Sequence, residues 1–278
     1  MRSASKIMNC IFCKKNSDSS VSVEHIIPES LGNTDYTLPR GWVCGACNNY
    51  LSRKVEAPFM NSDYGKRIRF EMKIPSRRGR IPVVQGFHPQ SKCKVDLIFD
   101  SDGLNFSASQ NEGETMFIQT LRSQRHGSLY IPFSGDPNLN YETARFVGKI
   151  GLEVLSYRCQ ELDGWNEEIV NKKELDELRD YVRRGKPGFV WPIHTRRIYS
   201  AEHQFKDDIE EAYQVLNEWD ILFIPSHLSS DSGEYYAVIA ILGVEYTINL
   251  GGPELEGYLR WLKKNNNQSY LYLTKPEQ

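Results

Sequence analysis

The chain of 278 residues is 40% hydrophobic and 25% charged, and its formal net charge is −2. A chain of this length and composition can form one large or two modest hydrophobic cores without many crosslinks. Its first residues lack the apolar run of a secretory signal, and no later stretch approaches the roughly 18 uninterrupted apolar residues of a membrane helix. We therefore expect a cytoplasmic protein that does not contact a membrane.

Two cysteine pairs of the form Cys-x-x-Cys, Cys10/Cys13 and Cys44/Cys47, lie in the first part of the chain. In the reducing cytoplasm such pairs indicate a metal rather than disulfides. Four thiolates fill every position around a tetrahedral zinc ion, so we predict one closed, structural zinc site. The thirty residues between the pairs exceed the roughly 15 to 20 of an ordinary zinc ribbon. The extra length leaves room for a β-hairpin.

The segment between the cysteine pairs carries Glu24-His25, followed by Pro28. Adjacent strand residues point to opposite faces, so a regular strand would not direct both side chains to one point. A strand end or a bulge before Pro28 would allow it. A helix is predicted over residues 48–59, because apolar residues recur there at helical spacing and a proline marks the end. We therefore predict that residues 1–62 form a small ββα module held by zinc.

The basic charge of the chain is concentrated near this module. Residues 1–80 hold 14 Lys and Arg against 7 Asp and Glu, whereas the remainder holds 20 against 29. The excess is densest in residues 63–80, a stretch with Pro and Gly and no clear periodicity, which we predict to be a linker. Its basic side chains are candidate phosphate contacts, and a solvated, charged linker is the alternative. The candidates are Lys66, Arg67, Arg69, Arg77, Arg78 and Arg80.

Beyond the linker, residues 81–278 contain strands and helices in separate runs, so we predict an α+β domain with a regulatory or target-recognition role. The predicted strands cover 81–87, 94–99, 104–108, 219–225, 235–242 and 244–250, and the predicted helices cover 141–162, 173–184 and 255–263. The fold class expected for the whole chain is therefore α+β, with a small zinc-bound ββα module followed by a larger mixed domain.

From residue 8 to about residue 60, the order of these motifs resembles the HNH, or ββα-metal, endonucleases of the zinc-stabilised branch. The matching elements are the two cysteine pairs, Glu24-His25-Ile26-Ile27-Pro28, Leu31-Gly32 and Cys47-Asn48. The resemblance implies a DNA endonuclease in which His25 is the general base and Glu24 and Asn48 bind a catalytic magnesium or manganese ion. It further implies hydrolysis by a His-activated water, as in nucleases of bacterial anti-phage defence or mobile elements.

Some positions depart from this pattern or leave a choice. Many relatives carry an asparagine shortly before the second cysteine pair that orients the base histidine. Here that neighbourhood is Leu38-Pro39-Arg40, and Asn33 lies farther away, so the orienting residue is unassigned. Asn49 is a rival to Asn48. Glu56, on the same helix, is either a second acid near the ion or an exposed charge, and we favour exposure.

Two further functions remain open from the residues. A non-catalytic zinc-ribbon module would bind nucleic acid through the cysteine pairs and the basic run, without needing Glu24, His25 and Asn48 together. A structural protein would use the module only as a folded cap. DNA is the partner expected in the leading interpretation. The C-terminal domain is expected to bind a ligand, a regulatory protein or a second copy of the chain in a homo-oligomer.

Overall fold

The computed structural model describes residues 8–76, 78–108, 113–123, 127–131, 135–162, 164–207, 210–226 and 229–273, without the side chains at 113, 226 and 229–232. The chain divides into two compact units. One combines the residues through Phe59 with those from Asn138 onward, and the other spans Met60–Pro137. This differs from the expected order of a module, a linker over 63–80 and a domain over 81–278. Within the described ranges, no helix is both long and apolar enough to cross a membrane.

The N-terminal segment contains the hairpin that the cysteine spacing predicts. Strands β1 (Glu24–His25) and β2 (Thr37–Leu38) pair antiparallel between the two cysteine pairs. Asn33 closes the connecting loop, because its side-chain amide donates to the carbonyls of Ile27 at 2.8 Å and Tyr36 at 3.0 Å. An asparagine bonded to its own loop in this way stabilises a turn. It therefore supports a hairpin whose strands have only two residues each.

The helix after the second cysteine pair continues past its predicted end. It consists of α1 (Gly45–Leu51), a π-helical turn (Ser52–Glu56) and α2 (Ala57–Asn61). The sequence predicts an end at Pro58, because a proline has no N–H to donate to the carbonyl four residues earlier. That carbonyl belongs to Lys54, and Arg145 Nη1 donates to it instead, at 3.3 Å. A side chain from elsewhere in the chain thus satisfies the carbonyl that the proline leaves free.

Helix α3 (Asp63–Glu71) is the first helix that lies wholly in the second unit, and it occupies the first half of the predicted linker. Ser62 begins this helix as its N-cap, with its hydroxyl accepting the N–H of Gly65 at 3.0 Å. The unit continues with β3 (Val84–His88), β4 (Cys93–Asp100), β5 (Gly103–Ala108) and α4 (Gly113–Ser123). The strands form one antiparallel sheet in the order β3-β4-β5. The predicted strands of this region are therefore confirmed.

The segment from Asn138 onward contains helix α5 (Tyr141–Cys159) and a four-stranded antiparallel sheet that it packs against. Its other elements are α6 (Trp165–Asn171), α7 (Asp176–Arg184), β6 (Ile193–Arg197), β7 (Phe205–Lys206), β8 (Ala212–Tyr213), β9 (Asn217–Ser226), β10 (Ser229–Ile241), β11 (Val244–Asn249), α8 (Glu256–Lys264) and α9 (Tyr270–Leu273). The sheet order is β6-β11-β10-β9, and β7 pairs with β8 separately. The predicted α+β class is confirmed.

Helix α5 is buried along most of its length and joins the C-terminal sheet to the N-terminal segment. A Cβ atom at Gly151 would lie 2.9 Å from Leu250 and 3.2 Å from Ala237, so glycine permits the close approach of helix and sheet. The ring of Phe146 stacks on that of Phe59, with centroids 4.1 Å apart. A helix that is apolar on most of its faces must be covered on all of them. The two segments therefore share one core.

Polar contacts reinforce this shared core near the first cysteine pair. Arg179 Nε donates to the carbonyl of Ile11 at 2.7 Å. The side-chain amide of Asn166 exchanges two hydrogen bonds with the backbone of Asn9, each of 3.1 Å. These bonds hold the loop of the first cysteine pair against α6 and α7. The position of the zinc module therefore depends on residues more than 150 positions later in the chain.

Candidate metal centre and active site

The sulfur atoms of the two cysteine pairs form one cluster. All four Sγ atoms lie within 4.8 Å of one another, and the Sγ atoms of Cys13 and Cys44 are 3.7 Å apart. A zinc ion with Zn–S bonds of about 2.3 Å separates tetrahedral sulfur ligands by about 3.8 Å. The cluster therefore fits a zinc ion with four sulfur ligands and leaves no ligand position for water or substrate. Among the described residues, it is the one group of three or more His, Cys, Asp or Glu spaced for a metal.

Local backbone geometry brings the sulfurs of each pair together. Cys44 is the N-cap of α1, and its sulfur accepts the N–H of Cys47 at 3.4 Å. The first pair closes as a tight turn, in which the N–H of Lys14 donates to the carbonyl of Cys10 at 2.8 Å. Lys14 adopts a φ of 60°, a left-handed conformation that reverses the chain there. The turns therefore follow from the short spacing within each pair.

The thiols of the cysteine cluster differ in pKa. A hydrogen bond from Cys47 lowers the pKa of Cys10 to about 5, although burial acts in the opposite direction. The same hydrogen bond raises the pKa of Cys47, and burial raises the pKa of Cys13. The raised pKa values of Cys13 and Cys47 mean that these two thiols resist ionisation unless a cation compensates the charge. This is the behaviour expected of a zinc site, because zinc binding releases the thiol protons.

Glu24, the predicted metal ligand on β1, is buried against a lysine of α5. Lys149 Nζ lies 2.6 Å from Glu24 Oε1, and it also donates to the backbone carbonyl of His25 at 3.4 Å. The same ammonium contacts Glu56 Oε1 at 2.6 Å and Glu153 Oε2 at 2.8 Å. Lys149 is 0% exposed. One buried ammonium therefore binds three carboxylates and a carbonyl of the hairpin.

The charges of this cluster depend on burial and on one another. Burial raises the pKa of Glu24, although Lys149 opposes the rise. Burial also raises the pKa of Glu153 well above its ordinary value. For Lys149 burial acts to lower the pKa, but the carboxylates of Glu153, Glu24 and Glu56 outweigh it and raise that pKa well above the usual range. The lysine stays charged. Because a raised pKa favours the protonated carboxyl, Glu24 and Glu153 need not both be ionised, and Lys149 can balance the charge of the cluster without a further cation.

The oxygen donors predicted to hold a divalent ion fit such an ion chemically. Oε2 of Glu24 has no hydrogen-bond partner in the described part of the chain. It is not fully buried either, so it keeps contact with solvent. Asn48 lies half-buried in the first turn of α1. Its side chain makes no hydrogen bond to any described residue. Carboxylate and amide oxygens are the hard ligands that magnesium and manganese accept.

The structure corrects the expectation that Glu56 is an exposed charge. Glu56 is not an exposed charge, because its side chain is 15% exposed and binds Lys149. It meets the lysine because α5 packs against this part of the helix. Among described residues, no hydrogen bond or ion pair joins Glu24 to Asn48. Asn49, the rival of Asn48, is exposed. Lys149 thus links Glu24 to Glu56. Glu56 lies on the helix that carries Asn48, eight residues after Asn48 in the chain.

His25, the predicted base, lies half-buried at the end of β1 and opposite Thr37. Its Nδ1 atom is buried and has no hydrogen-bond partner in the described ranges. Its Nε2 atom is not buried and unpaired in this way. The imidazole lies close enough to the Glu24 carboxylate for its charge to act on that carboxylate and lower its pKa, although neighbouring residues of a regular strand point to opposite faces. Asn33 is bonded within the hairpin loop, and the residue that orients His25 is still unassigned.

The basic run is divided by burial. Arg67 and Arg69 are buried, at 6% and 7% exposure, and Arg67 donates to the carbonyl of Gly135 at 3.1 Å. Their burial leaves little of either side chain to contact phosphate. Arg77 lies outside the described residues. The exposed members of the run are Lys66, Arg78 and Arg80.

Lys149 and Glu153 are not among the residues that the motifs predict for this site. A signal for them exists in the sequence, since they are opposite charges four residues apart inside a strongly apolar helix. Charged residues are almost never fully buried unless they are paired. The pattern therefore indicates a buried ion pair on α5, but it does not identify the hairpin as the partner.

A cysteine cluster that frames a β-hairpin and a following helix defines a zinc-type ββα module. Residues 10–63 match the family described as HNH endonuclease. The chain thus carries an HNH endonuclease domain of the four-cysteine branch, and this domain indicates a nuclease that acts on nucleic acid. No curated protein and no solved structure matches the chain.

Proposed function

We propose that the protein is a metal-dependent DNA endonuclease of the HNH type, with its active centre on the N-terminal hairpin and helix. The supporting observation is the four-sulfur cluster, which holds the hairpin of Glu24 and His25 and the helix of Asn48 in the segment that matches the family. A proton acceptor and two oxygen ligands are the groups that metal-assisted hydrolysis of a phosphodiester requires.

His25 is the proposed general base. Imidazole changes its protonation state closest to cellular pH, so its neutral form can take a proton from an attacking water. Because Nδ1 is buried, Nε2 is the atom proposed to receive that proton. Pairing of His25 with Thr37 on β2 holds the backbone of the base in place. A fixed backbone favours a reproducible distance between the base and the attacking water.

Glu24, through Oε2, and Asn48, through its amide oxygen, are the residues proposed to hold a magnesium or manganese ion. When bound, such an ion supplies positive charge to the attacked phosphate and to the leaving 3′-oxygen. Asn48 directly follows Cys47, so the zinc site determines where the amide lies. The expected products carry a 5′-phosphate and a 3′-hydroxyl.

One observation favours a second candidate function, a non-catalytic zinc module that binds nucleic acid. The Glu24 carboxylate already has a cationic partner in Lys149, so this part of the fold does not require a second metal for its charge balance. Such a module would bind DNA through exposed basic side chains and leave it intact. Both functions predict the same zinc content, so a cleavage assay is needed to separate them.

The test is incubation of the zinc-loaded protein with supercoiled plasmid and either magnesium or manganese, beside the variant His25→Ala. We expect the parent to nick or linearise the plasmid. His25→Ala should lower the rate by about 10²–10⁴, the usual cost of losing a general base, with zinc content and DNA affinity retained. His203→Ala is the matched control, since it removes an exposed histidine of the C-terminal segment and should cut like the parent.

Each outcome of this assay selects one function. Equal cleavage by His25→Ala and the parent would show that His25 is not the base. A parent that binds plasmid without cutting it would select the non-catalytic module. Resealing of the nicks by DNA ligase would identify 5′-phosphate and 3′-hydroxyl ends. A parallel arm with RNA of the same sequence would determine whether DNA is the preferred substrate.

A further inference from the structure

The buried ammonium of Lys149 binds only one of the two oxygens of Glu24. Nζ is 2.6 Å from Oε1, whereas Oε2 has no hydrogen-bond partner among the residues described. The same nitrogen lies 3.4 Å from the carbonyl of His25, so it contacts both residues of β1. Lys149 belongs to α5 and follows Glu24 by 125 residues in the chain. A residue outside the family match thus contacts the centre of the motif.

We propose that Lys149 is a positioning residue of the nuclease centre, which holds Oε1 of Glu24 so that this carboxylate offers only Oε2 to a catalytic divalent ion. The inference rests on the proposed function, because it assigns Glu24 to that ion. It adds a residue from the C-terminal segment to a site whose motif lies wholly in the N-terminal one.

The surroundings of Lys149 keep its ammonium in place. Besides Glu24, it binds Glu56, in the helical segment that carries Asn48, and Glu153, on α5 itself. The ammonium therefore donates hydrogen bonds to Glu24 Oε1 and to the carbonyl of His25, and it forms ion pairs with carboxylates on two further elements. Because Lys149 is 0% exposed, water does not compete for these bonds. The lysine consequently sets the separation between the Glu24 hairpin and the helix of Asn48.

Lys149 should affect a bound ion in two opposite ways. A positive charge next to a carboxylate weakens the binding of a second cation, and for protons this effect is about 10- to 1000-fold. A carboxylate with one immobilised oxygen, however, holds an ion in a single position. Misplacement of a reacting group by about 1 Å typically costs about 100-fold in rate. Lys149 is therefore expected to lower the affinity for the ion and to raise the cleavage rate.

The test replaces Lys149 by methionine, which has a similar length and no charge. We expect K149M to bind Mn²⁺ at least about tenfold more tightly and to cleave plasmid at least about tenfold more slowly at saturating Mn²⁺. Mn²⁺ affinity is measured on the zinc-loaded protein without nucleic acid, from the electron paramagnetic resonance signal of the free ion. Loss of a lysine with a merely structural role would weaken Mn²⁺ binding and cleavage together.

Two further variants make the test specific. In the Glu24→Gln background, K149M should change neither the Mn²⁺ affinity nor the cleavage rate, because the lysine acts through this carboxylate. Arg145→Met is the matched control on the same helix. Arg145 is 7% exposed and donates to the carbonyls of Val182 and Lys54, so its loss removes a buried cation away from β1. It should lower stability and leave Mn²⁺ affinity unchanged.

K149M leaves three carboxylates without their cation, so K149M/E153Q is prepared in parallel. The double variant removes one charge of each sign and keeps the net charge of the cluster. We expect the same opposite changes in affinity and rate, of smaller size. Unchanged or weaker Mn²⁺ binding in both Lys149 variants would overturn the inference. Loss of zinc and helix content in both would also overturn it, because Lys149 would then serve the fold alone.

The Mn²⁺ titration needs no substrate, so it separates this inference from the proposed nuclease activity. If the parent cuts no nucleic acid but K149M binds Mn²⁺ more tightly through Glu24, the nuclease is refuted and the positioning of Glu24 is supported. If the parent cuts DNA and K149M has the same Mn²⁺ affinity and rate, the nuclease is retained and the role of Lys149 is refuted. A parent that binds no Mn²⁺ refutes the inference directly.

Discussion

Phe146→Ala tests whether the nuclease module and the C-terminal segment unfold as one unit. The rings of Phe146 on α5 and Phe59 on α2 stack with their planes 10° apart and their centroids 4.1 Å apart. Their exposed fractions are 0% and 2%. Removal of the Phe146 ring therefore deletes a buried aromatic contact and leaves a cavity in the core that the two segments share.

The size of the effect follows from this burial. Truncation of a buried phenylalanine to alanine costs about 3–5 kcal/mol of unfolding free energy, of which the ring pair contributes about 0.5–1.5 kcal/mol. A unit of this size has a urea m value of about 2–3 kcal/mol/M. We therefore expect the midpoint of urea unfolding to fall by about 1–2 M in Phe146→Ala, with the m value retained.

Two probes compare the zinc module with the combined unit as a whole. All five tryptophans of the chain lie in the combined unit, so tryptophan fluorescence follows that unit, and a colorimetric chelator follows zinc release from the module. Both midpoints should coincide in the parent and fall together in Phe146→Ala. Phe117→Ala is the matched control, because Phe117 is 5% exposed in the core of the other unit. It should leave the midpoint of zinc release unchanged.

Separate midpoints in the parent would refute the shared core. If zinc is released at a lower urea concentration than the fluorescence change, the module unfolds by itself and the two segments are independent domains. An unchanged midpoint in Phe146→Ala would refute the stability assigned to the stacked ring. If the urea midpoint of zinc release fell as far in Phe117→Ala as in Phe146→Ala, the division of the chain into two units would be contradicted.

Two further predictions concern the zinc site and the basic run. Cys44→Ser removes one of the four sulfur ligands, so zinc measured by elemental analysis should fall below one ion per chain, with loss of cooperative unfolding, because metal binding contributes folding energy. Full zinc content in that variant would contradict the cluster. Alanine at the three exposed basic positions should reduce the slope of log K against log salt for DNA by about 2.7, at about 0.9 per phosphate contact. An unaltered slope would make the run a solvated surface. The three positions are Lys66, Arg78 and Arg80.

The zinc site and the nuclease motif are determined locally by the sequence. Two sulfurs of a Cys-x-x-Cys pair are brought together by a single turn, whatever the rest of the chain does. The hairpin and the helix between and after the pairs follow from the spacing of the same few residues. Likewise, the strands around 94–108 and the helix over 141–162 are predicted correctly, because apolar periodicity depends only on which faces of an element are covered.

The division into units required the tertiary structure. The sequence indicates a linker over 63–80, because proline, glycine and charge are frequent there, yet α3 forms there and Arg67 and Arg69 on it are buried. Periodicity shows that α5 must be covered, but it does not show by which partner. That partner is chosen by the complementary shape of Phe59 and its neighbours, more than 80 residues earlier in the chain.

The partner of Glu24, like the partner of α5, could not be predicted from the sequence. The sequence by itself determined that a carboxylate precedes the histidine between the cysteine pairs and that a helix covers 141–162, in which a lysine and a glutamate lie four residues apart. Only the tertiary structure decided that these charges meet. The energy of an ion pair depends on the distance between its charges in the folded protein, and the sequence separation of the two residues does not give that distance. The 2.6 Å contact between Lys149 and Glu24 spans 125 residues, and the packing of α5 against the hairpin creates it.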